Sequence, residues 1–101
     1  MIGCVGADGF GTTLIENLKK NHVDARYVRR DGSAATGTAI IIVDSNGENS
    51  IVLSPGANAK ISPSDVEPAA MTGARLLLLQ LEIPLETNLQ APANDPDTGQ
   101  H

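Results

Sequence analysis

The stretch Ile2-Gly3-Cys4-Val5-Gly6-Ala7-Asp8-Gly9-Phe10-Gly11 lies at the start of the sequence and is the main indicator of its fold. Residues 1–5 form a short apolar segment that is typical of a strand, and the glycines that follow permit a tight turn. Thr13 and Glu16 then have the spacing of a helix capping box, which predicts a helix that ends near residues 21–22. A strand, a glycine turn and a helix in this order indicate an α/β protein.

A β-hairpin is predicted downstream, at about residues 36–53, because both arms are rich in β-branched side chains. The turn Ser45-Asn46-Gly47 is compatible with two registers. A two-residue Asn-Gly loop would place Ile41 opposite Val52, whereas a three-residue loop with a left-handed glycine would place it opposite Ile51. The choice decides which side chains of the second arm share a face with Ile41, and the residues alone leave both registers open.

The second half of the chain predicts a helix, a buried strand and a tail. Ser62-Pro63-Ser64-Asp65 supplies an N-cap, a proline at the first helical position and an acid in the first turn, so a helix should begin there and end at Gly73. Residues 76–81 are an almost unbroken leucine run, whose shortness favours a strand buried on both faces of a parallel sheet. Residues 85–90 have room for one or two helical turns. We expect residues 91–101 to be disordered, since they contain two prolines and no large apolar side chain.

Composition limits the classes of partner. The chain has 101 residues, 41% of them apolar, and a formal net charge of −5, which fits one small globular domain or part of a larger one. We expect no nucleic-acid partner, because affinity for the phosphate backbone comes from clustered positive charge that this chain lacks. No apolar run is long enough to span a membrane, no signal peptide is visible and Cys4 has no disulfide partner, so we expect a cytoplasmic protein without a membrane partner.

Two features are candidate binding sites on chemical grounds. The glycine loop of residues 6–11 precedes a helix, where amides can hold phosphate, but its spacing fits neither nucleotide-binding glycine motif and Asp8 would repel a pyrophosphate. Glu82 ends the predicted buried strand, at the edge where open α/β sheets bind ligands, and could accept hydrogen bonds from substrate hydroxyls. Its position alone fits a solvated loop residue equally well. The two histidines have no metal-ligand neighbours in sequence, so we expect no metal site.

Five short motifs occur in the order and spacing of one enzyme family: residues 2–11 quoted above, Thr36-Gly37-Thr38-Ala39, Gly47-Glu48-Asn49, Pro55-Gly56-Ala57-Asn58 and Gln80-Leu81-Glu82-Ile83-Pro84. Over residues 2–89 the chain resembles the ribokinase/phosphofructokinase-B family of carbohydrate kinases, and within it the ribokinases. The resemblance implies a partial ribokinase-like fold, in which a parallel sheet flanked by helices carries the hairpin as a β-sheet lid. Residues 1–90 would be the partial kinase domain, and residues 91–101 a disordered or frame-shifted tail.

The resemblance also implies a sugar site. It assigns Glu82 to hydrogen bonds with sugar hydroxyls, and Ala39, Ile41 and Ile51 to apolar contact with the sugar. The three apolar contacts require the register of the three-residue turn. Among sugars, this set of residues favours ribose. Full-length members of the family use ATP with Mg²⁺ and a monovalent cation, and the lid often forms a homodimer contact.

Several family elements are missing from the sequence. The first strand and the G-G-K-G-x-N motif do not precede residue 1, and the nucleotide pocket, the cation loop and the G-A-G-D motif with the catalytic base do not follow. We therefore expect a fragment of an ATP-dependent sugar kinase that neither turns over nor binds ATP or metal by itself. An alternative is a non-catalytic module whose hairpin edge pairs with another kinase subunit. A dinucleotide-binding half-domain is disfavoured by the glycine spacing.

Overall fold

The computed structural model of the chain describes residues 1–93. Its helices and strands, in chain order, are β1 (Ile2–Gly6), α1 (Gly9–Lys20), β2 (Tyr27–Asp31), β3 (Thr38–Val43), β4 (Asn49–Ser54) and α2 (Leu85–Ala93). Three 3₁₀ turns lie between β4 and α2, at Gly56–Lys60, Pro63–Asp65 and Pro68–Met71. The predicted α/β class is confirmed. α2 runs three residues beyond the segment 85–90 for which helix is predicted, and the rest of the predicted tail lies outside the described residues.

β1 and β2 form a parallel sheet and pair over all five residues of each strand. β1 is predicted correctly, and it buries Cys4 and Val5. The sequence predicts only a connection where β2 lies, because the last three residues of β2 are charged. These charges are compatible with a strand here, since they lie near the surface and Arg29 Nε donates to Asp65 Oδ1 at 2.9 Å. A tertiary contact therefore overrides the local pattern.

α1 begins inside the glycine loop, at Gly9, so the predicted capping box of Thr13 and Glu16 is wrong. Asp8 is the N-cap: its backbone is extended and its Oδ1 accepts a hydrogen bond from the amide of Gly11 at 2.8 Å. An aspartate in this position satisfies one of the amides that the first helical turn leaves unpaired. The predicted end of the helix agrees with the structure.

β3 and β4 form the predicted antiparallel hairpin, with Ile41 directly opposite Ile51. This is the register of the three-residue loop, and Gly47 has the left-handed conformation that this loop requires, with a φ of 80°. The carboxylate of Asp44 accepts hydrogen bonds from two amides of the turn, at 2.8 and 2.9 Å. The turn chemistry thus selects one of the two registers that the sequence leaves open.

The continuous helix predicted for residues 62–73 is wrong, because this segment forms two separate 3₁₀ turns. Its start is as predicted: Ser62 and Asp65 form a capping box around Pro63. A second proline, Pro68, then removes an amide donor and disfavours the helical conformation of the residue before it. Glu67 is accordingly extended, with a φ of −77° and a ψ of 129°.

The leucine run of residues 76–81 forms no strand, which corrects the prediction of a buried one. The exposed fractions of Leu76, Leu78 and Leu81 are 87%, 91% and 85%. A strand exists only when a neighbour pairs with it, and among residues 1–93 the two sheets contain only β1 with β2 and β3 with β4. The apolar pattern is therefore present without the partner that would make it a strand.

The core consists of two small clusters on the body formed by β1, α1 and β2. The first contains Cys4, Ala57 and Ile61, and the second contains Val66 and Met71. The hairpin contributes nothing to either cluster, since every residue of β3 and β4 is exposed. Within the described part of the chain, no helix is both long and apolar enough to cross a membrane.

Candidate functional site

The hairpin register brings three of the predicted sugar-contact residues onto one face. Residues directly opposite each other point to the same side of a sheet, and so do residues two apart on one strand. Ile41 is opposite Ile51, and Ala39 lies two residues before Ile41. These residues form what we call the Ile41 face, whose apolar members also include Val43 and Leu53.

The Ile41 face is open to solvent. Ile41 and Ile51 are 62% and 59% exposed, and Leu53 is 72% exposed. The opposite side, the Ile40 face, carries Ile40, Ile42 and Val52 and is exposed to a similar extent. An apolar ribbon that is uncovered on both sides is unusual for a protein on its own and is typical of surfaces that meet a ligand or another polypeptide.

Glu82 lies in the turn that precedes α2, and the three 3₁₀ turns separate it in sequence from β4. It is exposed, and no hydrogen bond or ion pair of its carboxylate is found among residues 1–93. No hydrogen bond joins it to the hairpin in this part of the chain. The structure thus places Glu82 and the Ile41 face on separate elements, and the site is not closed by a direct bond between them.

The turn that carries Glu82 is anchored on both sides. Before it, the carbonyl of Gln80 accepts a hydrogen bond from Asn88 Nδ2 at 2.6 Å. After it, Ile83 packs on the first core cluster, and the buried Thr87 donates its hydroxyl to the carbonyl of Ile61 at 2.8 Å. The backbone on either side of Glu82 is therefore held against the body while its carboxylate faces solvent, ready to accept hydrogen bonds.

The glycine loop is organised by an internal carboxylate rather than left open for an anion. Asp8 Oδ1 accepts from the Gly11 amide at 2.8 Å and from Thr36 Oγ1 at 2.6 Å, and Asp8 Oδ2 accepts from the Thr36 amide at 2.9 Å. These hydrogen bonds lower the pKa of Asp8 below its ordinary value, and those from Thr36 have the largest effect. The positive charge of Arg30 acts in the same direction. A negative group already occupies the place that a phosphate would take.

Sequence reasoning missed the pairing of Asp8 with Thr36. Thr36 is only 5% exposed and lies two residues before β3, so it belongs to the base of the hairpin. A signal for Asp8 was present, because aspartate is a favoured N-cap and follows the last residues of a strand here. No local pattern points to Thr36 as its partner, since the two residues are 28 positions apart.

The described residues contain no group of three or more His, Cys, Asp or Glu side chains arranged to hold a metal ion. Cys4, a free thiol, is buried in the first core cluster, and burial raises the pKa of that thiol.

Comparison with known proteins gives a consistent picture. The sequence profile of the pfkB family carbohydrate kinases matches residues 1–91. The ribokinase of Schizosaccharomyces pombe is 43% identical over 88 residues, which cover 85% of this chain and 28% of that protein. The ribokinase of Mus musculus is 43% identical over 89 residues, covering 86% of this chain and 28% of that protein.

A solved structure extends the likeness to the backbone. The Arabidopsis thaliana ribokinase, solved in complex with ribose and ATP, superimposes with a TM-score of 0.83 at 32% identity. The match covers 97% of this chain and 33% of that one. The chain therefore spans about a third or less of the length of the proteins that it matches.

Proposed function

The chain belongs to the pfkB family of carbohydrate kinases, and we propose that it supplies part of the sugar site and the lid of an ATP-dependent ribokinase. Such an enzyme transfers the γ-phosphoryl group of ATP to the 5-hydroxyl of ribose. The observation that carries the proposal is the hairpin register, because only this register puts Ala39, Ile41 and Ile51 on one face. The 43% identity to a ribokinase supports ribose as the sugar.

The proposed roles follow from the chemistry of each group. Glu82 accepts hydrogen bonds from sugar hydroxyls, for which an exposed carboxylate on an anchored turn is suited. Ala39, Ile41 and Ile51 cover the apolar side of the sugar and exclude water from it, as small-molecule sites commonly combine an apolar lining with a few polar groups. Residues 1–90 are the partial kinase domain in this proposal, with residues 36–53 as its lid.

The described residues do not fit the cofactors of the proposed whole enzyme. They offer no acidic cluster for Mg²⁺, and the first-turn amide of α1 is taken by Asp8. Phosphoryl transfer depends on a base near the hydroxyl and on charges that stabilise the phosphoryl group. The G-A-G-D motif, to which the family resemblance assigns the base, does not occur in this sequence. We therefore propose that the ATP, Mg²⁺ and monovalent-cation sites belong to segments of the whole kinase outside this chain, and that the chain alone catalyses no turnover.

A chimeric kinase tests the proposed sugar site. Residues 1–89 of this chain replace the matched segment of the S. pombe ribokinase, and ADP release is measured with ribose as the substrate. We expect the chimera to phosphorylate ribose, and we expect Glu82→Gln to lower kcat/KM for ribose by about 10- to 100-fold, the scale of a hydrogen bond to a charged group.

Glu86→Gln is the matched control for this experiment. Glu86 is also an exposed carboxylate and lies four residues further on, in the first turn of α2. The control variant should keep the activity of the chimera. A folded chimera that phosphorylates no ribose, or equal losses in the two variants, would show that the proposed sugar site is wrong.

A second candidate function is a non-catalytic module that joins two kinase subunits. Two observations favour it: β3 and β4 pair only with each other among the described residues, and both faces of the hairpin are exposed. Unpaired strand edges are templates for association with another chain. Light scattering should then detect a dimer of this chain or a complex with a pfkB kinase. A monomer at high concentration that binds no such kinase would contradict this candidate.

A further inference from the structure

The hairpin is connected to the body through two short stems, residues 34–37 before β3 and residues 55–58 after β4. All residues of β3 and β4 are exposed, so neither face of the hairpin is buried against the body. The angle between hairpin and body is therefore set where the stems meet the body, and not by packing of the hairpin faces. The contacts in the stems decide how the Ile41 face is aimed.

The first stem packs on the first core cluster through Ala34, and its hydrogen bonds to the body are made by Thr36. Thr36 donates both its amide and its hydroxyl to the carboxylate of Asp8, at 2.9 and 2.6 Å. The same hydroxyl oxygen accepts a hydrogen bond from the amide of Gly6, at the end of β1, at 2.9 Å. Because one residue is held through its backbone and through its side chain, both its peptide plane and its χ1 rotamer are constrained.

The first stem approaches the backbone of Gly6 closely. A Cβ atom at Gly6 would lie 2.5 Å from the nitrogen of Thr36 and 2.6 Å from the oxygen of Ala34, so only a glycine allows this approach. The second stem is bonded to the first, since the amide of Ala57 donates to the carbonyl of Ala35 at 2.7 Å. The second stem also packs directly on the body, because the fully buried Ala57 contacts Cys4 of β1 in the first core cluster. The two stems are thus joined to each other, and the hydrogen bonds to the body are concentrated at Thr36.

We infer that Asp8 and Thr36 form a latch that fixes the angle of the hairpin relative to β1 and α1, and that they are positioning residues for the sugar contacts. The role of the latch in sugar binding rests on the proposed function, whereas the latch itself rests on the bonds described above. Neither residue touches the sugar in this scheme. They act indirectly, by setting the orientation of the hairpin face that carries Ala39, Ile41 and Ile51.

The angle of the hairpin can be measured in the chain itself by residual dipolar couplings of backbone amides. In the unmodified chain, one alignment tensor should fit the amides of β3 and β4 together with those of β1 and α1. Thr36→Val keeps the shape of the side chain but removes the hydroxyl, which leaves the Gly6 amide without its acceptor. We expect the couplings of β3 and β4 in this variant to fall at least about twofold, while those of β1 and α1 stay unchanged.

Two further variants make the test specific. Thr36→Ser restores the hydroxyl and should restore the couplings of the unmodified chain. Thr12→Val makes the same chemical change at a threonine of α1 whose hydroxyl oxygen accepts a hydrogen bond from Arg30 Nη1 at 3.1 Å, and it should leave the hairpin couplings unchanged. Unchanged couplings in Thr36→Val, or the same loss in Thr12→Val, would overturn the latch.

A measurement on the unmodified chain decides the case in which Thr36→Val does not fold. The latch requires the amides of Gly6 and Thr36 to exchange with solvent at least about tenfold more slowly than in an unstructured peptide, and exchange at the unstructured rate would overturn it. None of these measurements involves a sugar. They therefore remain valid if the chimeric kinase fails, and the chimera in turn tests the sugar site independently of the latch.

Discussion

Asp8 combines two tasks in one side chain, because its carboxylate caps α1 and also holds Thr36 at the base of the hairpin. A neutral amide in its place offers one acceptor oxygen instead of two, so it cannot satisfy all three donors that now meet there. The amide of Gly11 and the two donors of Thr36 therefore explain why an acid stands in this glycine-rich loop before α1.

The stability of the chain should depend on the ionisation of Asp8. Its folded-state pKa is lowered by the hydrogen bonds from Thr36 and Gly11, so the ionised form contributes stability above the unfolded pKa of about 3.9. This contribution is lost as the pH falls through the folded-state pKa. We predict that Asp8→Asn lowers the Tm most at pH 7, and that the difference from the unmodified chain narrows as the pH falls below the unfolded pKa and through the lowered folded-state pKa. Circular dichroism melts between pH 7 and pH 2.5 measure this difference. A Tm difference that stays constant over this range would contradict the prediction.

At the scale of elements, β2 and the 3₁₀ turn Pro63–Asp65 are joined by one guanidinium. Arg29 donates through Nε and Nη2 to the two carboxylate oxygens of Asp65, at 2.9 and 3.1 Å, and through Nη2 to the carbonyl of Lys60 at 3.0 Å. The hydrogen bond from Arg29 is the main cause of the lowered pKa of Asp65. The fork of the guanidinium matches the carboxylate in a way that an ammonium group cannot.

We predict that Arg29→Lys lowers the free energy of unfolding by about 0.5–1 kcal/mol, a modest value because the Arg29 side chain is 40% exposed. Urea denaturation measures the change. The matched control is Arg26→Lys, because Arg26 is also paired with an aspartate but is 77% exposed, and this substitution should change the free energy of unfolding less than Arg29→Lys does. Equal effects of the two variants would show that the bidentate pair adds nothing.

The hairpin register depends on the turn. Gly47 has a φ of 80°, a conformation in which a Cβ atom is strained, and no neighbouring atom is within 4 Å of where that Cβ would lie. We predict that Gly47→Ala weakens the hairpin by about 1 kcal/mol, detected as faster amide exchange in β3 and β4. Gly32→Ala is the control, since Gly32 also has open space but no positive φ. Slowed or unchanged exchange in Gly47→Ala would contradict the prediction.

At the scale of the whole molecule, exposed large apolar side chains outnumber buried apolar side chains among the residues that the structure describes. Within residues 1–90 the buried hydrophobic residues are Cys4, Val5, Ala57, Ile61, Val66 and Met71. The exposed ones include most of the hairpin and the leucine run of residues 76–81. A small core and a large apolar surface predict a marginally stable chain that associates readily. A sharp cooperative melt at high temperature would count against this expectation.

We predict that the leucine run contributes to self-association. Leu76→Ser combined with Leu78→Ser should reduce the light scattered at high concentration at least severalfold without lowering the Tm, because these side chains are 87% and 91% exposed. Ile61→Ser, at a residue that is 3% exposed, should instead abolish the cooperative fold. Unchanged association in the double variant would place the association surface elsewhere, for example on the hairpin.

The sequence by itself determined β1, the existence of α1, the hairpin and the family, because glycine turns, β-branched arms and short motifs are local patterns. Only the tertiary structure decided the pairing of Asp8 with Thr36 and the strand β2, since these depend on partners 28 and 25 positions away in the chain. The leucine run of residues 76–81 is the opposite case, a predicted strand that the structure does not contain. Its pattern is that of a strand, but a strand requires a paired neighbour, and no periodicity within a segment states whether that neighbour is present.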